Sequence, residues 1–338
     1  MSRPKVLVTR LLPEKPLDVL REQCAVDLYD KHDPMPRELL IDKVGKVDAV
    51  ICLLTDGMDR GVIEKAYSVR AICDVSVGYN NVDIAAARER KIWVTHTPDV
   101  LTEATANLTW ALILDATRRV AEGDRLIRKG GWTGFRFDFL LGSDLAGKQL
   151  GIIGMGRIGQ AVARRAQAFG MDVAYVPSAR KRKRPMSRFD DGLRATPMPF
   201  DELVRTSDVV SLHCPLTPET HHLIDTRALS LMKPSAYLVN VARGPVVDED
   251  ALYEAMASHR IAAALLDAWY TYPTLAEPNP RPSRYDFETL DNVRATPHMS
   301  GWTENLMERR YKAIAENLAR FSRGEPLLEI VWRSGSAA

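Results

Sequence analysis

The sequence lacks long apolar runs and an excess of charge of one sign, and each absence excludes a class of protein. No apolar run approaches the roughly 20 residues that cross a bilayer; residues 49–54 form one of the longest. Residues 1–9 do not contain the extended apolar core of a secretory signal. With a net charge of only +2, nothing indicates a nucleic acid or a membrane as a partner.

Cysteine is also scarce. The four cysteines, Cys24, Cys52, Cys73 and Cys214, do not show the Cys-x-x-Cys spacing of a metal or redox site. Most of them lie in or beside apolar runs, so we expect buried free thiols in a reducing compartment, the cytoplasm. No group of His, Cys, Asp and Glu has the spacing of metal ligands, and we predict no metal.

What the sequence does contain is a regular alternation of strand-like and helix-like segments. Strand-like runs occur at residues 5–9, 25–29, 48–54, 71–77, 92–95, 149–153, 172–176, 209–212, 236–239, 263–267 and 293–296. Helix-like segments occur at residues 15–23, 36–43, 61–67, 81–90, 102–120 and 303–323. This alternation predicts an α/β protein with parallel strands and crossover helices. A length of 338 residues suggests about two domains.

A glycine-rich turn, GMGRIG, follows one strand-like run and opens a helical pattern. Gly154 permits the tight turn, Gly156 lets the backbone approach a pyrophosphate, and Gly159 lets helix and strand pack closely. With Arg157 and Ile158 between them, these glycines would direct the N–H groups of the helix N-terminus at the phosphates. The context predicts a dinucleotide site, against the alternative of a turn kept for packing alone.

The residues after the next strand concern the choice of cofactor. A ribose-binding acid is expected about 18 positions after Gly159, and this chain has Pro177 there, followed by Ser178. Arg180 and Lys181 lie where a 2′-phosphate would be, which favours NADP(H) while leaving NAD(H) possible. The run RKRKR could instead be a solvated surface or a nuclear-import signal.

Two further residues have the chemistry of a 2-oxo acid reductase. Arg243, in VNVARGPVV, and His298, in RATPHMSG, each follow a strand, at the sheet edge where α/β proteins bind ligands. An arginine can hold a carboxylate with two parallel hydrogen bonds. A histidine titrates near neutral pH and can pass a proton. We expect a carboxylate clamp and a proton donor beside a hydride carrier.

The order of these motifs resembles that of a known family. LLTDGMD, VSVGYNNVD, TPDVLTEAT, GIIGMGRIGQAVARR, LHCPLTPET, VNVARGPVVDEDALYEA and TPHMSG resemble D-2-hydroxyacid dehydrogenases, and most closely the glyoxylate/hydroxypyruvate reductases. The resemblance runs almost from end to end. It implies a Rossmann-type dinucleotide-binding domain at residues 101–300. A discontinuous, flavodoxin-like substrate domain would comprise residues 1–100 and 301–338, with the active site in a cleft between the two.

The resemblance also implies roles for individual residues. Arg243 would bind the carboxylate and the carbonyl of a small 2-oxo acid, and His298 would be the acid/base. Val77 and Gly78 would offer backbone N–H groups to the carboxylate, and Thr55 would also contact the substrate. Besides the glycine turn, Ser178, Arg180, Lys181, Arg243 and His298, the implied cofactor contacts are Thr105, His213, Cys214, Pro215, Thr220, Val241, Ala242, Asp267 and Ser300.

One departure from the family pattern falls at Tyr272. The family has a glutamate there, in D-V-x-x-x-E-P, hydrogen-bonded to the catalytic histidine, whereas this chain reads D-A-W-Y-T-Y-P. We predict that Tyr272 takes part in the active site as a weaker partner of His298. In the alternative, Glu277 takes the vacant role. Phe139 falls where some relatives present an aromatic ring to the partner subunit, which implies a homodimer.

Three functional hypotheses remain open. The first is an NADPH-dependent reductase of glyoxylate, hydroxypyruvate or a related acid. The second is a dehydrogenase of another small acid, formate or phosphoglycerate. The third is a dinucleotide-sensing scaffold like the corepressors of this superfamily, which needs the fold and the cofactor but no turnover. Oxidation of NADPH with a panel of 2-oxo acids separates them.

Overall fold

The computed structural model describes residues 3–177, 192–274, 277 and 279–332, which fall into two compact units. The first unit comprises Met1–Leu101, Thr271–Arg281 and Trp302–Ala338, and the second comprises Thr102–Tyr270 and Pro282–Gly301. The segment Thr271–Arg281, which the sequence placed in the dinucleotide domain, thus belongs to the first unit. No helix in these described ranges is long and apolar enough to cross a membrane.

The elements follow the predicted alternation. The strands are β1 Lys5–Val8, β2 Ala25–Leu28, β3 Ala49–Cys52, β4 Ala71–Asp74, β5 Trp93–Thr95, β6 Gln149–Ile153, β7 Asp172–Val176, β8 Thr196–Pro197, β9 Val209–Leu212, β10 Tyr237–Asn240, β11 Ala263–Leu266, β12 Val293–Ala295 and β13 Ile330–Trp332. The helices are α1 Glu14–Gln23, α2 Arg37–Val44, α3 Arg60–Lys65, α4 Ile84–Glu89, α5 Thr102–Arg118, α6 Val120–Arg128, α7 Arg157–Ala168, α8 Phe200–Thr206, α9 Thr226–Leu231, α10 Glu249–Ala257 and α11 Leu306–Arg323.

The first unit is a six-stranded sheet in the order β13-β5-β4-β3-β1-β2. Strands β1 to β5 are parallel, and their order is that of flavodoxin-like folds. Every residue of β3 and β4 is buried, as expected of parallel strands covered on both faces. The predicted flavodoxin-like fold is confirmed. The antiparallel edge strand β13 was not predicted.

The second unit is a seven-stranded sheet in the order β12-β11-β10-β9-β6-β7-β8. All its pairings are parallel. Counted from β6, this is the Rossmann order 3-2-1-4-5-6 with a seventh strand added, so the predicted fold class is confirmed. The strand order reverses between β6 and β9, and α/β sheets bind ligands at such a switch point.

The long helix predicted for residues 102–120 is wrong at its end. Helix α5 stops at Arg118 because Arg119 adopts a left-handed backbone conformation, with φ of +55°. Helix α6 then begins at Val120. Helix propensity gave no signal of the break, since arginine is a good helix former.

Candidate active site

The glycine-rich turn between β6 and α7 is closely packed. Gly154 has a φ of +102°, and a Cβ atom on it would overlap the backbone of His213 and Cys214. A Cβ on Gly159 would overlap the carbonyl of Gly154. By contrast, a Cβ on Gly156 would meet no atom within 4 Å. Two of the glycines are therefore required by packing, while the third faces open space that a phosphate could occupy.

Helix α7 opens directly from this turn. Gly156 is its N-cap residue, no side chain caps the helix, and its first turn carries no acidic residue. Such an N-terminus carries a partial positive charge and binds anions. Arg157 and Ile158 form the first residues of the helix, the former exposed and the latter half-buried.

Two buried polar atoms among the predicted cofactor contacts lack a protein partner among the described residues. They are the Oγ1 atom of Thr105, on the first turn of α5, and the Nδ1 atom of His213, just after β9. The other ring nitrogen of His213 lies 2.8 Å from the Ser211 hydroxyl. Burial lowers the pKa of His213 to about 3, so its ring is neutral near pH 7. A nicotinamide dinucleotide, rich in hydroxyl, amide and phosphate groups, fits this turn and could satisfy both atoms.

The other predicted cofactor residues mostly follow strands of the same sheet. Carboxyl ends of parallel strands share one edge, so loops that begin there are neighbours. These positions are His213, Cys214 and Pro215 after β9, Val241, Ala242 and Arg243 after β10, Asp267 after β11, and His298 and Ser300 after β12.

Thr220 lies in a turn, where its hydroxyl donates to the Pro215 carbonyl at 2.6 Å. Pro177 follows β7 at this edge too, since Val176 pairs with Ile153. Ser178, Arg180 and Lys181 lie outside the described residues.

Arg243 is fixed just beyond the end of β10. Its carbonyl accepts a hydrogen bond from the Asn240 side chain at 2.9 Å, and its guanidinium donates to the Ala242 carbonyl at 2.7 Å. The next residue, Gly244, admits no side chain, because a Cβ there would overlap the backbone of Trp269. The half-buried Arg243 is thus held by its neighbours at the carboxyl edge of the sheet.

The loop that carries His298 is tied to a buried carboxylate. His298 itself has a left-handed backbone, with φ of +55°, which non-glycine residues rarely adopt. Asp267 accepts hydrogen bonds from the Thr296 hydroxyl at 2.6 Å, the Met299 N–H at 2.8 Å and the Ser300 N–H at 2.9 Å. Charge-assisted bonds of this kind are stronger than neutral ones. Asp267, predicted as a cofactor contact, therefore anchors both sides of His298.

Sequence reasoning missed a second anchor of this loop. The indole N–H of Trp269 donates to the Thr296 carbonyl at 2.8 Å. A tryptophan two residues beyond a strand-ending aspartate could have signalled it, because a buried indole usually finds an acceptor. Asp267 and Trp269 thus both bind Thr296, two residues before His298.

The predicted substrate residues of the first unit follow β3 and β4. The Thr55 hydroxyl accepts a hydrogen bond from Arg10 at 3.0 Å. The buried Asp56 accepts from Arg10 at 2.6 Å and from the Thr9 hydroxyl at 2.6 Å. Arg10 was not predicted, because nothing near it in the sequence reveals its partners 45 residues away. Val77, like Gly78, is half-buried in the loop after β4.

Comparison with known proteins agrees with this geometry. Residues 110–300, more than half of the chain, match the family model "D-isomer specific 2-hydroxyacid dehydrogenase, NAD binding domain". The chain belongs to this dehydrogenase family. It is 42% identical over 327 residues to a glyoxylate reductase of Thermococcus gammatolerans, covering 96% of this chain and 94% of that one.

Solved structures show the same likeness. The TT0316 protein of Thermus thermophilus is 41% identical, with a TM-score of 0.83, and the match covers 97% of this chain and 100% of the other. An NADPH-dependent glyoxylate/hydroxypyruvate reductase of Sinorhizobium meliloti was solved in complex with NADP and malonate. It is 27% identical to this chain with a TM-score of 0.83, and the match covers 100% of both chains. This 2-hydroxyacid dehydrogenase is an oxidoreductase that uses a nicotinamide dinucleotide, and the predicted family and fold are confirmed.

Tyr272 and His298 are assigned to different units of the chain. Tyr272 is half-buried in the first unit, together with the exposed Glu277, whereas His298 belongs to the second unit. The predicted partnership of Tyr272 with His298 stays a prediction.

The four cysteines are free and buried, as predicted. In the described ranges no three His, Cys, Asp or Glu side chains are grouped as metal ligands.

Proposed function

We propose that this dehydrogenase is an NADPH-dependent reductase of glyoxylate, hydroxypyruvate or a related small 2-oxo acid. One observation carries the proposal. Arg243 and the anchored His298 loop follow two strands of the same sheet, at the edge where the glycine turn also lies. A carboxylate-binding cation, a proton donor and a dinucleotide turn at one sheet edge are the parts that reduction of a 2-oxo acid requires. The resemblance to glyoxylate reductases supports the choice of acid.

The proposed roles follow from the chemistry of each group. Arg243 binds the substrate carboxylate and stabilises negative charge on the carbonyl oxygen as it develops. His298, in its imidazolium form, donates the proton that this oxygen takes up. The backbone N–H groups of Val77 and Gly78, with Thr55, complete the binding of the substrate. When bound, the reduced nicotinamide supplies the hydride that the carbonyl carbon accepts.

The preference for NADP(H) is part of the proposal. Pro177 occupies the place of a ribose-binding acid, and Arg180 and Lys181 follow it. Replacing both cations with alanine should raise the KM for NADPH while leaving that for NADH nearly unchanged. Loss of the same factor with both nucleotides would show that these side chains do not select the 2′-phosphate.

A panel of 2-oxo acids assayed with NADPH and with NADH tests the activity itself. We expect turnover of the wild-type protein, and loss of about 10²–10³-fold in kcat/KM in Arg243→Ala, with the nucleotide still bound. Arg243→Lys should not restore activity, since an ammonium lacks the planar fork. Nucleotide binding without turnover of any acid would favour the dinucleotide-sensing scaffold.

The proposed assembly is a homodimer. Residues 130–141 of the second unit expose the large apolar side chains Trp132, Phe135, Phe137 and Leu141, with Phe139 half-buried among them. A cluster of exposed large apolar side chains is typical of an interaction site. The same unit has an open groove of about 1000 Å³ beside α5 and α6, and we assign a second copy of this chain to it. Phe135→Ser with Phe137→Ser should give a monomer in sedimentation equilibrium, and Tyr67→Ser, on the first unit, should not.

The proposed location is the cytoplasm. All four cysteines are free, and free thiols persist in reducing compartments. Burial raises the pKa of Cys24 and of Cys214 to about 11, so neither is a reactive thiolate. Cell fractionation tests the location directly.

A further inference from the structure

The loop after β4 has two consecutive carbonyl groups bound by the segment that follows β5. The Ser76 carbonyl accepts from the Thr97 N–H at 3.0 Å. The Val77 carbonyl lies 2.8 Å from the Nδ1 atom of His96. The Ser76 hydroxyl lies 2.5 Å from a carboxylate oxygen of Asp74 and 2.6 Å from the Gly78 carbonyl, and its single proton serves only one of these two acceptors. The segment after β5 thus holds the loop through the carbonyl groups of Ser76 and Val77.

This arrangement fixes where the N–H groups point. In a planar trans peptide the N–H of one residue is directed opposite to the carbonyl of the residue before it. The N–H groups of Val77 and Gly78 are therefore turned away from Thr97 and His96. Within the described part of the chain, neither of these two N–H groups donates to another residue.

The side chain that holds the Val77 carbonyl is itself fixed. The His96 N–H donates to the Glu329 carbonyl at 3.2 Å, and the edge of its ring packs against Tyr79, with centroids 5.6 Å apart. A carbonyl oxygen only accepts, so Nδ1 of His96 must carry the proton that the Val77 carbonyl receives. Ser76 is held by the buried Asp74, which accepts its backbone N–H at 2.8 Å.

We propose that His96 is a positioning residue for binding of the substrate carboxylate. By holding the Val77 carbonyl, it orients the N–H group of Gly78, one of the two expected donors. The His96 side chain does not touch the substrate in this role. The inference rests on the proposed function, since it assumes that the loop binds the carboxylate of a 2-oxo acid.

The test separates substrate binding from the chemical step. His96→Leu removes the hydrogen bond to the Val77 carbonyl. It should raise the KM for glyoxylate, and the inhibition constant of the carboxylate inhibitor oxamate, by about five- to tenfold, the effect of one neutral hydrogen bond. The kcat and the KM for NADPH should stay within about twofold of wild type. His96→Asn keeps an N–H donor and should recover most of the affinity.

Matched controls come from the same unit. His32→Leu and Ser68→Ala change exposed residues outside the loop and should leave both constants unchanged. The inference is overturned if His96→Leu keeps the wild-type KM and inhibition constant, or if His96→Asn is as impaired as His96→Leu. It is also overturned if kcat and the NADPH KM change by the same factor as the substrate KM, as a general structural defect would cause. A wild-type protein that reduces no 2-oxo acid would instead overturn the proposed function and the inference together.

Discussion

The two units are built on the same plan of parallel strands, yet they shape the loops at their strand ends in different ways. In the second unit, the turn after β6 depends on the absence of side chains at Gly154 and Gly159, where backbones approach closely. In the first unit, the loop after β3 depends on charged side chains, with Asp56 bound to Arg10. The first kind of loop should be sensitive to atoms added at Gly154 and Gly159, and the second should be sensitive to the loss of a hydrogen bond.

The largest expected effect comes from adding one carbon atom to the glycine turn. In Gly159→Ala the new methyl group overlaps the Gly154 carbonyl, so the backbone of the turn must move. We expect a loss of about 3 kcal/mol in the free energy of unfolding, the upper range for overpacking. Urea denaturation measures it.

The adjacent glycine provides the matched control. A methyl group on Gly156 meets no protein atom, so Gly156→Ala should change the unfolding free energy by less than about 1 kcal/mol. Its affinity for NADPH should nevertheless fall, because the methyl group would occupy the space proposed for the pyrophosphate. Equal stability of the two alanine variants would contradict the assigned roles.

This contrast explains what could be predicted from the sequence. The glycines of the turn were identified because a missing side chain is visible in the sequence together with its spacing. Arg10, Trp269 and the second role of Asp267 were not, because each acts through partners that lie far away along the chain. The break at Arg119 also left no signal. The parallel sheets, by contrast, follow from local alternation and were predicted nearly complete.

The second-largest effect concerns the His298 loop of the second unit, which side chains hold in place. In the wild type, one carboxylate oxygen of Asp267 accepts from the Met299 N–H and the other accepts from the Ser300 N–H. In Asp267→Asn one of these oxygens becomes an amide NH₂ group, which cannot accept, so one of the two hydrogen bonds is lost. Because His298 is then less well held, we expect kcat to fall by about 10–100-fold, since hydrogen bonds to charged groups contribute about 1.5–3 kcal/mol. The KM for NADPH should change little, as stopped-flow and steady-state assays can show.

A smaller change in the same loop sharpens this result. Thr296→Val removes only the hydroxyl donor to Asp267 and should lower kcat by less than Asp267→Asn does. If Asp267→Asn raised the NADPH KM and left kcat unchanged, Asp267 would be a cofactor contact and not an anchor.

The third prediction uses the buried neutral histidine of the second unit. Burial lowers the pKa of His213 from its ordinary 6.5 to about 3, so the unfolded chain binds more protons between these values. Stability from this group is therefore complete above pH 6.5 and is lost as the pH falls towards 3. From pH 7 to pH 5 the wild type should lose about 2 kcal/mol more than His213→Gln. If the free energies of unfolding of the two proteins fell by the same amount from pH 7 to pH 5, His213 would not titrate in this way.

The smallest expected effect is in the first unit. Arg10→Lys keeps a cation beside Asp56 but lacks the guanidinium fork that also donates to the Thr55 hydroxyl and to the His32 carbonyl. We expect the KM for the 2-oxo acid to rise by about threefold, the lower range for one hydrogen bond, at nearly constant kcat. A rise in the NADPH KM instead would place this network outside substrate binding.

The left-handed backbone at His298 constrains how this protein can be varied. Glycine and asparagine suit that conformation best, and β-branched residues suit it least. Histidine adopts this conformation more readily than most non-glycine residues but less readily than glycine. Backbone preference alone therefore favours glycine at position 298, and the hydrogen bonds of Asp267 offset the difference. Positions 267 and 298 are therefore epistatic: a mutant library that weakens Asp267 will enrich glycine at 298 and lose activity while it gains stability. Searches for new acid or base groups at 298 should begin from backgrounds in which Asp267, Thr296 and Trp269 are kept intact.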